Sequence, residues 1–510
     1  MSLLFMGQQP SSTNEWSIPK VIYEIPDSVR YVKQFDAGIF NDRMDLLIEQ
    51  FDTSGIRLDY SEVYFIENAN SENQIHHSVS NKAFSAEDPR LIYSNNDVHF
   101  FWGERRYDPE FNEWDRPRAP LSKYATSIFS SSITNSNPIE IYKSGLWVYG
   151  LGDVTLPVNS VYDNQNVYAS TTLDSTLLAP DDPGVNVVGF FKKNILTNDI
   201  YMSKPIFGHT PSIVAQNGEI WLAYLGSDTI NYGRNNTYVM KSQDDGMTWA
   251  NPLMLSQSED FQVEISIKKT NNNSLHIVHS TSTDEYPVPN QLWHTFGENL
   301  GTRWHNKTLI YDTENENVDE TLLVSRHSMV TDSFGQVHIV MKILGFDLRR
   351  FGVYTKWNPL TQTWSSPQKI SIDLKNALFI DLEVSDDNTL HLFWDDMAKR
   401  TIQFATKEIT APKLPEIFKS NQEIQLHNVY PNPSATRVTI PFTLLNESDV
   451  HIRIYSLDGS LVSMTDLGNR QTGYQQERID VSQLSSGVYI FDVKTQHSES
   501  LSGKFTVIRS

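Results

Sequence analysis

The 510-residue chain contains no cysteine. That excludes disulfide staples, thiolate metal sites and cysteine nucleophiles together. It does not exclude export, because large domains need no disulfides. Long apolar runs are missing as well. No stretch approaches the about 18 residues of a membrane-spanning helix, so no transmembrane segment is expected. Basic charge is scarce: Lys+Arg of 41 against Asp+Glu of 62 leaves a net charge of −21. Such a surface repels phosphate backbones, so no nucleic acid is expected as a partner, and an anionic polymer needs a local basic site. No His-Glu-x-x-His, no Gly-x-Ser-x-Gly and no phosphate loop occurs.

What is present is a repeat. An apolar strand, a polar turn and a second apolar strand run Pro211-Ser-Ile-Val-Ala-Gln-Asn-Gly218-Glu-Ile-Trp-Leu-Ala-Tyr224. Versions of the unit centre near Leu46, Val98, Val167, Ile220, Leu275, Val337 and Leu390, at spacings of 52 to 69 residues. That is the length of a four-stranded blade with its loops, so the fold expected is an all-β propeller of about seven blades. A Trp followed by a short strand marks the outer edge at Trp249, Trp304 and Trp364, and again at Trp16. The last blade has only three strands before the repeat ends. The segment 16–22 is therefore expected to complete it and close the ring.

The domain reading follows. Residues 1–15 are read as a signal-peptide remnant or a disordered N-terminus, on the short apolar run Leu3-Leu4-Phe5-Met6. Residues 16–410 are the propeller. Residues 411–423, with Pro412 and Pro415, are a linker. Residues 424–510 carry short alternating strands with turns such as Asp458-Gly459 and Ser486-Gly487, the pattern of an Ig-like β-sandwich.

Two resemblances rest on specific residues. Ser242-Gln-Asp244-Asp-Gly246-Met-Thr248-Trp249 resembles the Asp box (BNR repeat) of sialidase-like propellers. The resemblance implies a structural turn and says little about activity. The sialidase site itself does not match, since Asp88-Pro-Arg90-Leu stands where that family carries a Phe/Tyr-Arg-Ile-Pro motif. The second set is Tyr430-Pro431-Asn432-Pro433, Val450 to Gly459, Leu484-Ser-Ser-Gly487-Val-Tyr489 and Gly503 to Val507. It resembles the type A sorting domain of the type IX secretion system. That resemblance implies handling by the type IX machinery through residues 424–510, and a protein secreted or attached to the outer cell surface.

Chemistry is sought at the propeller channel, where first strands of all blades converge. Their entrances carry Asp36, Glu87, Asp88, Asn159, His209, Glu264, Arg326, His327 and Asp381. Polar residues cost little at a wet channel mouth, so each has a bland reading as well. Loops on the same face add Arg105, Arg106, Tyr232, Arg234, Arg349 and Arg350, which either pair with neighbouring acids or hold a carboxylate or sulfate. His99, His276, His338 and His391 recur at one repeat position and are read as packing. No cofactor motif is present. The pairs Asp386-Asp387 and Asp395-Asp396 are candidates for calcium without the spacing of a known loop.

Two function classes stay open. One is an enzyme on extracellular polysaccharide. A glycoside hydrolase would use paired carboxylates among Asp88, Glu264 and Asp381. A polysaccharide lyase would use His209 or His327 with Tyr232, while Arg105, Arg106, Arg234, Arg349 or Arg350 holds the anion. The other class is a non-catalytic module that binds surface glycan or protein.

Overall fold

The computed structural model describes residues 15–509, apart from 41, 53–60, 81–84, 95–96, 108–123, 134–135, 137–138, 144–158, 164, 175–185, 204–205, 227–235, 257–260, 283–288, 316–321, 346–349, 413–423, 428, 458 and 496–500. The expected leader and most of the expected linker lie outside these residues. The described chain is all-β, with one short 3-10 turn at Thr313–Asn315. It divides into two compact units. One holds residues 1–356 and 366–409, the other 357–365 and 410–510.

Among the described residues, seven antiparallel sheets of four or five strands follow one another through the first unit, an order that resembles the succession of blades in a β-propeller. Their inner strands are Val29–Phe40, Ser85–Tyr93, Asn159–Asp163, His209–Gln216, Phe261–Lys269, Leu322–Thr331 and Ile380–Val384. The second strands are buried on both faces. In Glu219–Gly226 every residue after the first is buried, and in Leu275–Ser282 all are. A sheet covered on both sides by its neighbours has no solvent face, so its central strand does not alternate. Trp102 and Trp394 fill equivalent buried positions on second strands, and Trp221 is buried at the repeat position that holds His338 and His391.

Turn chemistry sets the registers. Asn217 and Gly218 adopt positive φ of 52° and 78° and join Gln216 to Glu219 in a two-residue hairpin that requires both. In the Asp box, Asp244 accepts the Thr248 N–H at 2.8 Å and the Thr248 hydroxyl at 2.6 Å. Gly246 has φ +82°, and a Cβ there would meet the Phe190 ring at 2.1 Å. Trp249 packs edge-on to that same ring, at 5.1 Å between centroids. The turn therefore fastens the fourth sheet to the third.

The first described strand is Lys20–Glu24, and it pairs with Thr401–Glu408 at the outer edge of the seventh sheet. The Trp16 motif predicts this strand at 16–22. Pro19 has no N–H to give to a ladder, which moves the regular pairing beyond it. Ser17 still exchanges two hydrogen bonds with Thr406, at 2.8 and 2.9 Å.

In the second unit, two sheets share one core. Ile424–Leu426, Arg437–Leu444 and Gly473–Asp480 form one. Leu461–Arg470, Ser448–Ser456, Gly487–Thr495 and Leu501–Val507 form the other. Ile440, Phe442, Ile452, Ile454, Phe491 and Phe505 are all buried between them. The Tyr-Pro-Asn-Pro opening is tied down by Tyr430, bridged to Thr439, and by Asn432, which accepts the Thr506 N–H at 2.8 Å.

Candidate functional site

An inner strand has one edge with no strand beside it, and its N–H groups there need acceptors. Side chains from the neighbouring inner strand supply them. Asp36 accepts the Leu91 N–H at 2.7 Å. Ser212 accepts that of Ile267 at 3.1 Å, and Ser328 that of Leu382 at 3.0 Å. Asp381 accepts that of Ala37 at 2.9 Å. Polar residues on these strands thus join sheet to sheet.

Some carry more charge than that task needs. Asp36, Asp381 and Glu383 lie close enough to repel one another, with Arg90 and Lys268 as the facing cations. Burial pushes the Asp381 carboxyl up to about 7, and the Asp36 charge adds to the rise. Burial and then Asp381 push Glu383 well above the usual carboxylate range. Burial also raises Asp36, against Arg90 and the Leu91 N–H. All three side chains keep some solvent contact. A half-buried carboxyl touches water at its tip while protein crowds most of its surroundings, and the crowding decides the direction.

Glu264 goes the other way. Burial disfavours its charge, but His327, Arg326 and Arg90 outweigh that and hold it below the ordinary value. Its carboxylate lies 3.1 Å from Nδ1 of His327, and its side chain is still 34% exposed. Nε2 of the buried His327 ring meets the Ser266 hydroxyl at 3.0 Å. Arg90 acts on Glu264, Asp36 and Asp381 alike, so one guanidinium ties the acidic cluster to the ion-paired glutamate.

The other residues picked out in the sequence fall elsewhere. Asp88 sits at φ 50° in the bulge between Glu87 and Arg90. Its N–H reaches Glu49 at 3.2 Å. With the Gln34 amide turned to suit its neighbours, that side chain donates to Asp88 at 2.8 Å and accepts from Arg90 at 2.6 Å. Asp88 is thus buried in a network that fixes Arg90. His209 bonds its own neighbour, Nδ1 to the Thr210 hydroxyl at 2.7 Å, and no described contact joins it to His327. Arg350 donates to the Ala377 carbonyl at 3.1 Å. Arg105 and Arg106 lie on the strand Val98–Tyr107, but the placement of their side chains is not described. Tyr232, Arg234 and Arg349 lie outside the described residues.

Three repeat-position histidines make one recurring contact. His99 meets Ser94 at 3.2 Å, His338 meets Asp332 at 3.0 Å and His391 meets Ser385 at 3.1 Å, each at the turn after an inner strand. His276 instead meets His294 at 3.0 Å. The acidic pairs considered for calcium serve turns: Asp387 accepts from Ser385 and Thr389, Asp395 from Leu378 and Phe379, and Asp396 pairs with Lys399. Among the described residues, no group of three His, Asp or Glu is placed to hold a metal ion.

Sequence reasoning passed over Glu383, Arg90, Lys268 and Ser266. A period-2 signal was available for most of them. Glu383 stands two residues from Asp381, and Ser266 and Lys268 stand two and four from Glu264, so each lies on the same strand face as its partner.

No curated protein matches the chain. Solved structures similar to it include the Penicillium chrysogenum alpha-L-arabinanase complexed with arabinobiose, at 10% identity and TM-score 0.42, covering 77% of this chain and 98% of that one. The polysaccharide lyase Uly1 follows at 10% identity and TM-score 0.43, covering 80% and 94%. The Trypanosoma rangeli sialidase in complex with sialic acid is 8% identical at TM-score 0.41, covering 96% and 88%. Identities this low transfer no residue role. The C-terminal unit gives a firmer result: residues 428–508 match the family of secretion system C-terminal sorting domains, which marks this protein as one secreted, or held at the outer cell surface, by the type IX route.

Proposed function

We propose that the protein is an extracellular glycoside hydrolase whose seven sheets are the blades of a propeller closed by its N-terminal strand. Residues 16–410 form that propeller, and residues 411–423 link it to the sorting domain. What supports the reading is a pair of carboxyl groups that share the Arg90 cation: Glu264, 3.1 Å from His327, is held below its ordinary value, and burial pushes Asp381 up to about 7. Hydrolysis of a glycosidic bond needs such a pair, one acid still protonated near neutral pH and one carboxylate. Asp381 gives its proton to the departing glycosidic oxygen. Glu264 activates water or attacks the anomeric carbon. His327, held by Ser266, is a positioning residue for Glu264. This assignment favours hydrolysis over elimination, because both histidines considered as lyase bases are engaged with neighbouring side chains.

The test is a screen of purified protein on polysaccharides, following new reducing ends and ultraviolet absorbance from unsaturated uronates. Reducing ends without absorbance are expected, with a rate that falls as pH rises through about 7, where Asp381 loses its proton. Glu264→Gln should lower turnover by about 10²–10⁴-fold with glycan binding retained. Absorbance at the unsaturated product would assign a lyase.

A second reading has its own observation. Asp36 and Asp381 both accept hydrogen bonds from a neighbouring sheet, which suits a purely structural ring around a non-catalytic binding surface. Glycan binding without turnover in the same screen would select it.

A further inference from the structure

We propose that Arg326, Lys342 and Arg350 form an anion subsite beside Glu264 and His327, which receives the carboxylate or sulfate group of an acidic polysaccharide. Three cations converge on the short segment Ala377–Phe379. Lys342 is 4% exposed and donates to the Leu378 carbonyl at 2.6 Å. Arg350 donates to the Ala377 carbonyl at 3.1 Å. The Arg326 guanidinium lies 4.5 Å from the centroid of the Phe379 ring.

Among the described residues, two carboxylates face them, Asp395 beside Lys342 and Glu264 within reach of the Arg326 charge. Asp395 is buried and accepts the Leu378 and Phe379 N–H groups at 2.9 and 2.7 Å. Among the described residues, no ion pair within 4.0 Å neutralises any of the three cations. Carbonyl oxygens satisfy their hydrogen bonds but leave their charge, and a surplus of positive charge in a crowded place is unfavourable until an anion arrives. On a chain of net charge −21, such a surplus is local and specific. The Nε of Arg350 is buried without a partner, so a guanidinium donor remains for a ligand oxygen. Burial first, and then the Arg350 charge, push the Lys342 ammonium down to about 8, against the opposing charge of Asp395. Arg326 adjoins His327 in sequence, and its charge is among those that hold Glu264 ionised. The subsite is therefore continuous with the acid pair, and its role as a substrate subsite rests on the glycosidase reading.

The experiment uses the full chain in two arms at matched ionic strength. The first measures binding of polygalacturonate, of a sulfated galactan and of neutral arabinan. The second follows melting with free galacturonate, inorganic sulfate or galactose. Wild type should bind at least one anionic polymer roughly 10-fold or more tighter than the neutral one, and the advantage should shrink as pH rises above about 8 and Lys342 loses its charge. Arg326→Gln and Arg350→Gln should each remove most of that advantage without weakening neutral binding. Should Arg350→Gln unfold, Arg326→Gln decides, because its described contact is to a ring and not to the backbone.

Polygalacturonate preference assigns a carboxylate, and sulfated-galactan preference a sulfate. Equal affinity for neutral and acidic polymers, or a preference that survives both substitutions, overturns the subsite and leaves the glycosidase reading standing. Galacturonate or sulfate raising the melting temperature of wild type but of neither variant, with no polymer cleaved, keeps the subsite and sinks the glycosidase. Binding of neither polymer nor small anion overturns both.

Discussion

The Asp381 carboxylate accepts the backbone N–H of Ala37 at 2.9 Å across 344 residues of sequence. The same carboxylate takes the Ser328 hydroxyl at 3.3 Å, so one side chain joins the seventh sheet to the first and to the sixth. Asp381 therefore has a structural task as well as the acid role proposed for it, and the two are separable by substitution. Asp381→Asn keeps an acceptor for Ala37 and loses the titrating proton. It should fold with a melting temperature within a few degrees of wild type and fail in turnover. Asp381→Leu leaves the Ala37 N–H without its partner and should cost about 1–3 kcal/mol in denaturant unfolding. Equal stability of the two variants would remove the clasp from the account.

Stability should also respond to pH through this cluster. The Asp381 pKa is raised on folding, from 3.8 to about 7. The folded state then binds the proton more tightly than the unfolded one. The contribution is fully present below about pH 4 and is lost as pH rises through about 7. Asp36 and Glu383 are displaced in the same direction. The melting temperature of the propeller unit should fall between pH 4 and 7, and Asp381→Asn should flatten that slope. A slope unchanged in Asp381→Asn would place the titration elsewhere.

His338 should behave in the opposite way to the site residues. Its ring bridges Asp332 at 3.0 Å and the Tyr354 hydroxyl at 2.8 Å, all inside the sixth sheet. His338→Leu takes the ring partner from the buried Tyr354 hydroxyl, while Asp332 keeps its donors from Phe334 and Gln336, and should lower stability by about 1–3 kcal/mol. Turnover per folded molecule should stay at the wild-type value, measured on samples corrected for the folded fraction by circular dichroism.

The sorting domain makes a cellular prediction. Residues 424–510 fused behind a passive reporter exported to the periplasm should carry it outside a type IX-competent cell. Cell fractionation with reporter assay reads the outcome, and retention in the periplasm would contradict the assignment.

The architecture was legible because repetition amplifies a weak signal. A single hairpin such as Gln216 to Glu219 is ambiguous alone, but seven spaced versions are not. Functional residues carry no such amplification. Glu264 and His327 were both found as channel residues, yet their 3.1 Å pairing depends on two bulged strands, between Gln262 and Ile265 and between Val324 and Arg326. Sequence does not reveal where a bulge shifts the facing side chain. Lys342 was missed for a related reason. It lies in a buried apolar strand, Val337–Gly345, where its methylene stem reads as core and only the contact at its tip reveals a charge with work to do.

The pairing of Lys20–Glu24 with Thr401–Glu408 sets an order of events for a chain that emerges N-terminus first. The earliest strand cannot meet its partner until nearly four hundred residues later have appeared. Until then Val21, Ile22 and Tyr23 form a short apolar edge with unsatisfied backbone groups, open to pairing with the wrong chain. Contacts this distant in sequence slow folding, since most of the loop entropy is lost before they form. A truncation between Asp396 and Thr401 would therefore leave two sticky ends, the outer edge of an unfinished sheet and the strand waiting for it.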